Sequence, residues 1–350
     1  MATIQGRIES IDAMRVLAMV AVIGLHTASY TGPNAIGRHL GGADFLNQAE
    51  RFAVPFFFII SGYLWANKCT APQDYWKRAV KLGKRALVIF LFWSIVYSIG
   101  PAISAINAYG PMGPLKMLYW AFRPLNILEI ASTVSEGSRV HLWFLPALAC
   151  AAVISGALLA RGRELLLFAL AVALFFIGLA GGAYIDSPIG FNPHFNFRNG
   201  PFFSLIMFAT GYAIQRYGNI LRKVSAGAGV SIAGAGFLLQ LVEVTWINEK
   251  WGTSLSHDYV IGTYFFGLGM ALLALSNAPL LRITALATIG PLILGVYASH
   301  CLFVDILRPV DYALHGVFAW DFAYIAVVFA LSWATTLLLS SFPSTKRFVT

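Results

Sequence analysis

IESIDAMRVLAMVAVIGLHTASY, residues 8–30, is long and apolar enough to cross a bilayer as one helix, yet it carries an arginine and a histidine. Residues 16–25 are all apolar or glycine, with Arg15 before them and His26 after them. On an α-helix, eleven residues make three turns plus about 20° and rise about 16 Å, so Arg15 and His26 share one face at different depths.

An ionisable group at membrane depth is costly unless it faces a bundle interior or a watery cavity, which favours a functional role for both residues. Structural alternatives stay open. Arg15 is also suited to anchor the helix at the interface or to pair with Asp12, three residues earlier, and His26 to be a hydrogen-bonded core residue.

The composition is that of an integral membrane protein. Of its 350 residues, 58% are hydrophobic and 11% are charged, against about 25% charged in ordinary soluble domains. The net charge of +9 does not indicate a nucleic-acid partner, because the basic residues alternate with apolar runs. Cys69, Cys150 and Cys301 are far apart without a C-x-x-C motif, so we predict neither a disulfide framework nor a metal site.

Ten apolar runs are long enough to cross a bilayer. They lie near residues 11–30, 46–67, 81–103, 141–160, 163–185, 200–217, 225–247, 258–277, 285–307 and 318–341. Lysines and arginines concentrate in alternate connections, as positive-inside topology requires. We therefore predict an all-α polytopic membrane helix bundle of about ten transmembrane helices with both termini cytoplasmic, forming a single domain over residues 1–350 and surrounded by membrane lipids.

Two segments need separate expectations. The first apolar run follows Arg7, Glu9 and Asp12 and lacks a small-residue cleavage site, so we expect it to remain as a membrane helix. Around residues 104–140, a long helix should be broken by the prolines Pro101, Pro111, Pro114 and Pro124. We expect a loop there with a short interfacial helix.

The second apolar run contains RFAVPFFFIISGYLW, residues 51–65. Nothing about spanning a bilayer requires Ser61 and Gly62 after Pro55 and three phenylalanines, which favours a specific role for Ser61. The alternative is close helix packing at Gly62. If the chain descends here from the outer side, Arg51 lies at a depth near His26.

A basic segment, YWKRAVKLGKRALVIFLFWS, opens the third run at residues 75–94. Its cationic side chains are Lys77, Arg78, Lys81, Lys84 and Arg85. Cations beside the inner membrane face suit the phosphates of a nucleotide-bearing substrate, and arginine offers bidentate hydrogen bonds. Topology and anionic lipid explain the same pattern, and both explanations can hold at once.

RVHLWFLPAL, residues 139–148, and GVYASH, residues 295–300, place further polar groups in apolar runs. The first brings Arg139, His141 and Trp143 to the outer end of the fourth run. The second brings His300, which precedes Asp305. These side chains are suited to line an external cavity that binds a sugar.

Together, the Arg15 and His26 pair, the aromatic run ending in Ser61-Gly62, the basic segment and the two later motifs resemble the membrane-bound acyltransferase-3 family. The family carries a proline a few residues after the last arginine of its basic segment, where this chain has Ile89. The resemblance implies an enzyme of the bacterial cytoplasmic membrane that moves an acetyl group from acetyl-CoA to a sugar hydroxyl of the cell envelope. It also implies the polysaccharide biosynthesis machinery as a partner, and no permanently bound cofactor.

Residue roles follow from the resemblance together with helix depth. We assign His26 as general base and Arg15 to the CoA end. The donor side comprises Arg78, Lys81, Lys84, Arg85 and Ser61, and the acceptor side Arg51, His141, Arg139, Trp143, Glu50 and His300. Glu50 and Asp305 are the two carboxylates that we consider as orienting partners of His26.

Two other function classes suit the same features. A proton-coupled solute transporter would also carry intramembrane Arg and His, although the sequence lacks the inverted repeats typical of such carriers. A non-catalytic membrane protein that binds a glycan is the second. The sequence contains no P-loop, H-E-x-x-H, G-x-G-x-x-G after a strand or G-x-S-x-G motif, so soluble-enzyme phosphate or metal chemistry is not indicated.

Overall fold

The computed structural model describes residues 8–27, 42–123, 126–218, 225–314 and 317–350. Every regular element in these ranges is helical. In chain order the α-helices are α1 (Glu9–Thr27), α2 (Gly42–Glu50), α3 (Ala53–Ala66), α4 (Pro72–Tyr109), α5 (Gly113–Phe122), α6 (Ile127–Glu136), α7 (Phe144–Leu159), α8 (Glu164–Ala180), α9 (Pro201–Arg216), α10 (Ala226–Trp251), α11 (Ile261–Leu275), α12 (Thr284–Ile289), α13 (Ile293–Leu314), α14 (Phe318–Ser341) and α15 (Pro343–Lys346).

Six helical segments in the described ranges are long and apolar enough to cross a membrane. They are Glu9–Thr27, Pro72–Phe122, Val140–Leu159, Ala226–Trp251, Thr284–Leu314 and Ala319–Ser341. The protein is thus an all-α, multi-pass membrane protein, as the sequence predicts. The count of about ten spans and the cytoplasmic location of both termini stay predictions.

Helix α1 lies inside the bundle. Its most apolar window is 72% buried, whereas the corresponding window of α14 is 28% buried and faces outward. Its neighbours are α2, α3, α11, α12, α13 and α14. A helix enclosed in this way can carry polar side chains into the bundle interior, which is where the site is found.

The region around Pro101 differs from our expectation. Helix α4 continues through Pro101 to Tyr109, so the prediction that this proline breaks the helix was wrong. A proline removes one backbone hydrogen bond and bends the helix, and membrane helices tolerate it because neighbouring groups take up the freed carbonyl. Two short helices, α5 and α6, follow; the side chains of Leu115, Tyr119 and Trp120 on α5 are exposed, in keeping with the predicted interfacial helix.

The second predicted span is divided. Helices α2 and α3 are separated by a turn at Arg51 and Phe52, and α3 alone packs closely against α9. Two glycines allow this close packing, because Gly62 lies against the backbone of Phe208 and Gly211 lies against the backbone of Ile59. Such contacts let helix backbones come together in a bilayer.

Candidate active site

A cavity of about 200 Å³ runs beside α1. Its walls come from α1, α3, α4, α7 and α13 and are mostly apolar. The ionisable and hydroxyl-bearing side chains that line it are Arg15, His26, Ser61, Arg85, His141 and Tyr297. Arg15 and His26 therefore face one cavity, as the helical period predicts, and residues from four other predicted motifs join them there.

The arginines lie far along the cavity from the histidines. Arg15 is eleven residues, or about 16 Å, from His26 along α1. On α4, Arg85 is twelve residues, about 18 Å, from Tyr97. The ring of Tyr97 is 5.2 Å from the ring of His141. Arg15 is thus remote from His26, and Arg85 is remote from His141.

Three imidazoles meet at the other end. The ring centroids of His26 and His300 are 5.2 Å apart, those of His141 and His300 are 4.9 Å apart, and those of His26 and His141 are 6.0 Å apart. His141 and His300 are buried. We call His26, His141 and His300 the histidine cluster.

Hydrogen bonds fix two of these rings. The Nδ1 of His300 lies 2.6 Å from the carbonyl of Tyr297 and donates to it, and its Nε2 lies 3.4 Å from the Sγ of Cys301. The Nε2 of His141 lies 3.4 Å from the carbonyl of Ala298, and the hydroxyl of Tyr297 donates to the carbonyl of His141. The Nδ1 of His141 is buried and has no hydrogen-bond partner within the described part of the chain.

His26, His300 and Cys301 are also the described residues that could hold a metal ion, since their ligand atoms all lie within 4.8 Å of one another. Imidazole and thiolate suit zinc and similar ions. Our prediction of no metal site rested on cysteine spacing, which carries no information about side chains brought together from different helices.

The two carboxylates considered as partners of His26 are placed elsewhere. Asp305 accepts from Arg139 at 2.6 Å and from Arg308 at 2.8 Å. Glu50 packs on α1 at Gly24, where an added methyl group would overlap its carboxyl group. Gly24 is two residues, about 200° of helix, from His26, so Glu50 meets the opposite face of α1.

Comparison with known proteins identifies the fold family. The sequence model of the acyltransferase-3 family, described as an acyltransferase domain, matches residues 8–337. The chain belongs to the acyltransferase-3 family. Membership supports acyl transfer as its reaction class.

Relatives of this acyltransferase-3 protein include an amino-acid racemase of Enterococcus faecalis, 28% identical over 224 residues that cover 61% of this chain and 29% of the relative. A serine/alanine racemase of Enterococcus gallinarum is 26% identical over 249 residues, 67% of this chain and 32% of that protein. Another amino-acid racemase of E. faecalis is 23% identical over 328 residues, 87% of this chain and 42% of that protein. The chain thus spans less than half the length of these relatives. No solved structure matches it.

Several predicted site residues of the acyltransferase-3 protein lie outside the cavity. The guanidinium of Arg51 donates to Asn47, to Ser256 at 2.7 Å and to the carbonyl of His257. Lys81 and Lys84 are exposed on α4, and Arg78 is half-buried there. Their proposed roles stay predictions.

A second, more polar pocket of about 260 Å³ lies near Trp143, which lines the first cavity. The guanidinium of Arg198, which lines that pocket, stands 5.8 Å from the Trp143 ring and pairs with Glu136 at 2.9 Å and Asp258 at 3.1 Å. Burial, followed by the charge of Arg51, lowers the pKa of the neighbouring His257 to about 4. The sequence analysis did not assign Arg198 to the site. The feature that could have indicated it is the polar segment between two apolar runs, where Asn196 and Asn199 flank Arg198.

Proposed function

We propose that the protein is an O-acyltransferase that moves an acetyl group from cytosolic acetyl-CoA to a hydroxyl of an extracytoplasmic sugar, with His26 as the general base. An exopolysaccharide or a lipid-linked glycan unit is the proposed acceptor. Family membership supports the reaction class. The donor, the acceptor and the base are our proposal.

The observation that carries the proposal is one cavity lined by Arg15 and Arg85 far from the histidines and by His26 and His141 at the histidine cluster. The guanidinium groups are suited to CoA phosphates, with which arginine forms strong bidentate hydrogen bonds. The apolar walls between them suit an extended acyl-carrying arm. Such an arm would bring the thioester to the imidazole while the nucleotide stays at the other end.

In the proposed reaction, His26 accepts the proton of the sugar hydroxyl as its oxygen attacks the thioester carbonyl. The tetrahedral intermediate then collapses, the carbon–sulfur bond breaks, and the imidazolium returns the proton to the CoA thiolate. Base catalysis of this kind typically contributes a factor of about 10² to 10⁴ in rate. His300 and His141 surround His26 and restrict the orientation of its ring.

Purified protein in nanodiscs, given acetyl-CoA and envelope glycan, tests the proposal through release of free CoA. We expect acceptor-dependent release that falls by about 10² to 10⁴ in His26→Ala. His194→Ala is the matched control, because His194 is an exposed loop residue paired with Glu129. An unchanged rate in folded His26→Ala would refute the role of His26.

A covalent route through acetyl-His26 is distinguishable from direct transfer. Labelled acetyl-CoA mixed with the enzyme in the absence of acceptor would label the wild-type protein but not His26→Ala if the imidazole is acylated first. Absence of label together with full acceptor-dependent turnover supports direct transfer.

The rival classes make different predictions. A transporter or a non-catalytic glycan-binding protein would release no CoA with any envelope glycan. Chemical comparison of envelope glycan from cells with and without the protein gives the acceptor directly, since the missing ester identifies both the sugar and the hydroxyl.

A further inference from the structure

Tyr97 makes an unusual contact with the helix that carries His300. In a regular α-helix, the N–H of Leu302 bonds the carbonyl of Ala298, four residues earlier. Here the hydroxyl of Tyr97 donates to the carbonyl of Ala298 at 2.9 Å and accepts from the N–H of Leu302 at 3.1 Å. One side-chain hydroxyl thus bridges the two backbone groups of α13 that flank His300.

A proline in α4 lies one turn after Tyr97. Pro101 stands four residues later and has no N–H, so it cannot bond the carbonyl of Tyr97. Proline is a common cause of a local bend in a helix, and it lies one turn from Tyr97. Tyr97 is buried, with 7% of its surface exposed, and its hydroxyl finds its partners on α13.

The carbonyl of Ala298 also contacts the histidine cluster. Ala298 offers its oxygen to the Nε2 of His141 as well as to Tyr97. The ring of Tyr97 stands edge-on to the ring of His141, with centroids 5.2 Å apart and planes at 82°. Tyr97 therefore touches His141 directly and also holds the peptide that His141 contacts.

We propose that Tyr97 is a positioning residue of the active site. By bridging Ala298 and Leu302 it fixes this turn of α13, which aims the Ala298 carbonyl at His141 and places His300 beside His26. Its effect on the reaction rate rests on the proposed acyl transfer, whereas its effect on the imidazole geometry does not.

Tyr97→Phe removes the hydroxyl that bridges Ala298 and Leu302. We expect kcat for acceptor-dependent CoA release to fall about 10- to 100-fold, since small misplacements of catalytic groups have effects of this size. KM for acetyl-CoA should change by less than about threefold, because the arginines that face the cavity are remote.

Tyr324→Phe is the matched control. Tyr324 is also buried and also donates to a carbonyl of α13, that of Val304 at 2.9 Å, but none of its hydrogen bonds in the described structure reaches the histidine cluster. We expect its kcat to stay within about threefold of wild type. Equal rates for folded Tyr97→Phe and Tyr324→Phe would overturn the proposal.

A second measurement is independent of catalysis. In ¹⁵N-histidine-labelled protein, the imidazole signals of His141 and His300, assigned by single substitutions, should shift in Tyr97→Phe and stay in place in Tyr324→Phe. Unchanged signals in Tyr97→Phe overturn the proposal. Shifted signals in a protein whose wild type releases no CoA would leave the positioning role standing while refuting acyl transfer.

If Tyr97→Phe does not fold, a difluorinated tyrosine incorporated at position 97 keeps the hydroxyl and strengthens it as a donor. The signals of His141 and His300 should then shift in a folded protein. Their failure to shift would overturn the proposal.

Discussion

Replacing Gly62 with alanine should force α3 away from α9. A Cβ atom at residue 62 would lie 2.9 Å from the carbonyl carbon of Phe208 and closer still to its oxygen. The contact is reciprocal, because a Cβ at Gly211 would lie 2.9 Å from the carbonyl carbon of Ile59. Both obstacles are helix backbone, which cannot rotate aside as a side chain can.

The expected cost comes from overpacking, which typically destabilises by about 1–3 kcal/mol. Alanine also favours the helix over glycine by about 1 kcal/mol, and this gain partly hides the packing cost. Gly234→Ala is the matched control, since Gly234 is inside α10 and a Cβ there meets nothing within 4 Å. The difference in unfolding free energy between Gly62→Ala and Gly234→Ala isolates the packing cost at about 1–3 kcal/mol.

Equilibrium unfolding in mixed detergent micelles, followed by tryptophan fluorescence, gives both free energies. Because Ser61 lines the cavity beside this contact, Gly62→Ala should also raise KM for acetyl-CoA, whereas Gly234→Ala should leave it unchanged. Equal stabilities and equal KM values for the two variants would refute the close approach of α3 and α9 and its influence on the cavity.

Two further substitutions test the ends of the site. Arg15→Ala should raise KM for acetyl-CoA about 10- to 150-fold, since hydrogen bonds to charged groups contribute about 1.5–3 kcal/mol. Steady-state kinetics measure this KM, and Arg161→Ala, which changes an exposed loop arginine, is the control. An equal rise in KM for both variants would contradict a specific role for Arg15. Asp305→Asn should lower the unfolding free energy by at most about 1 kcal/mol, because solvent screens its ion pairs. It should leave kcat within about threefold, because Asp305 pairs with Arg139 and not with His26; a loss as large as that of His26→Ala would show that Asp305 orients the base.

The parts of the site that the sequence predicts are those that follow from one helix. Arg15 and His26 share a face because the helical period relates them, and α1 is continuous over both. The proximity of His141 and His300 to His26 depends on how α7 and α13 pack against α1, which no local pattern specifies. Asp305 illustrates the same limit. The sequence offered it as one of two candidate partners for His26, whereas in the folded chain it pairs with Arg139 and Arg308.

The short helices explain why the site lies where it does. Helix α3 has 14 residues and a rise of about 21 Å, less than the hydrocarbon core of about 30 Å. Non-helical backbone at membrane depth is tolerated only where protein buries it or a cavity hydrates it. In this chain the irregular segments include the turn at Arg51, the 3₁₀ turn that carries His141 and the 3₁₀ turn at Pro291. Two of these three line the cavity, so the breaks that shorten the helices also bring polar side chains and backbone to the site.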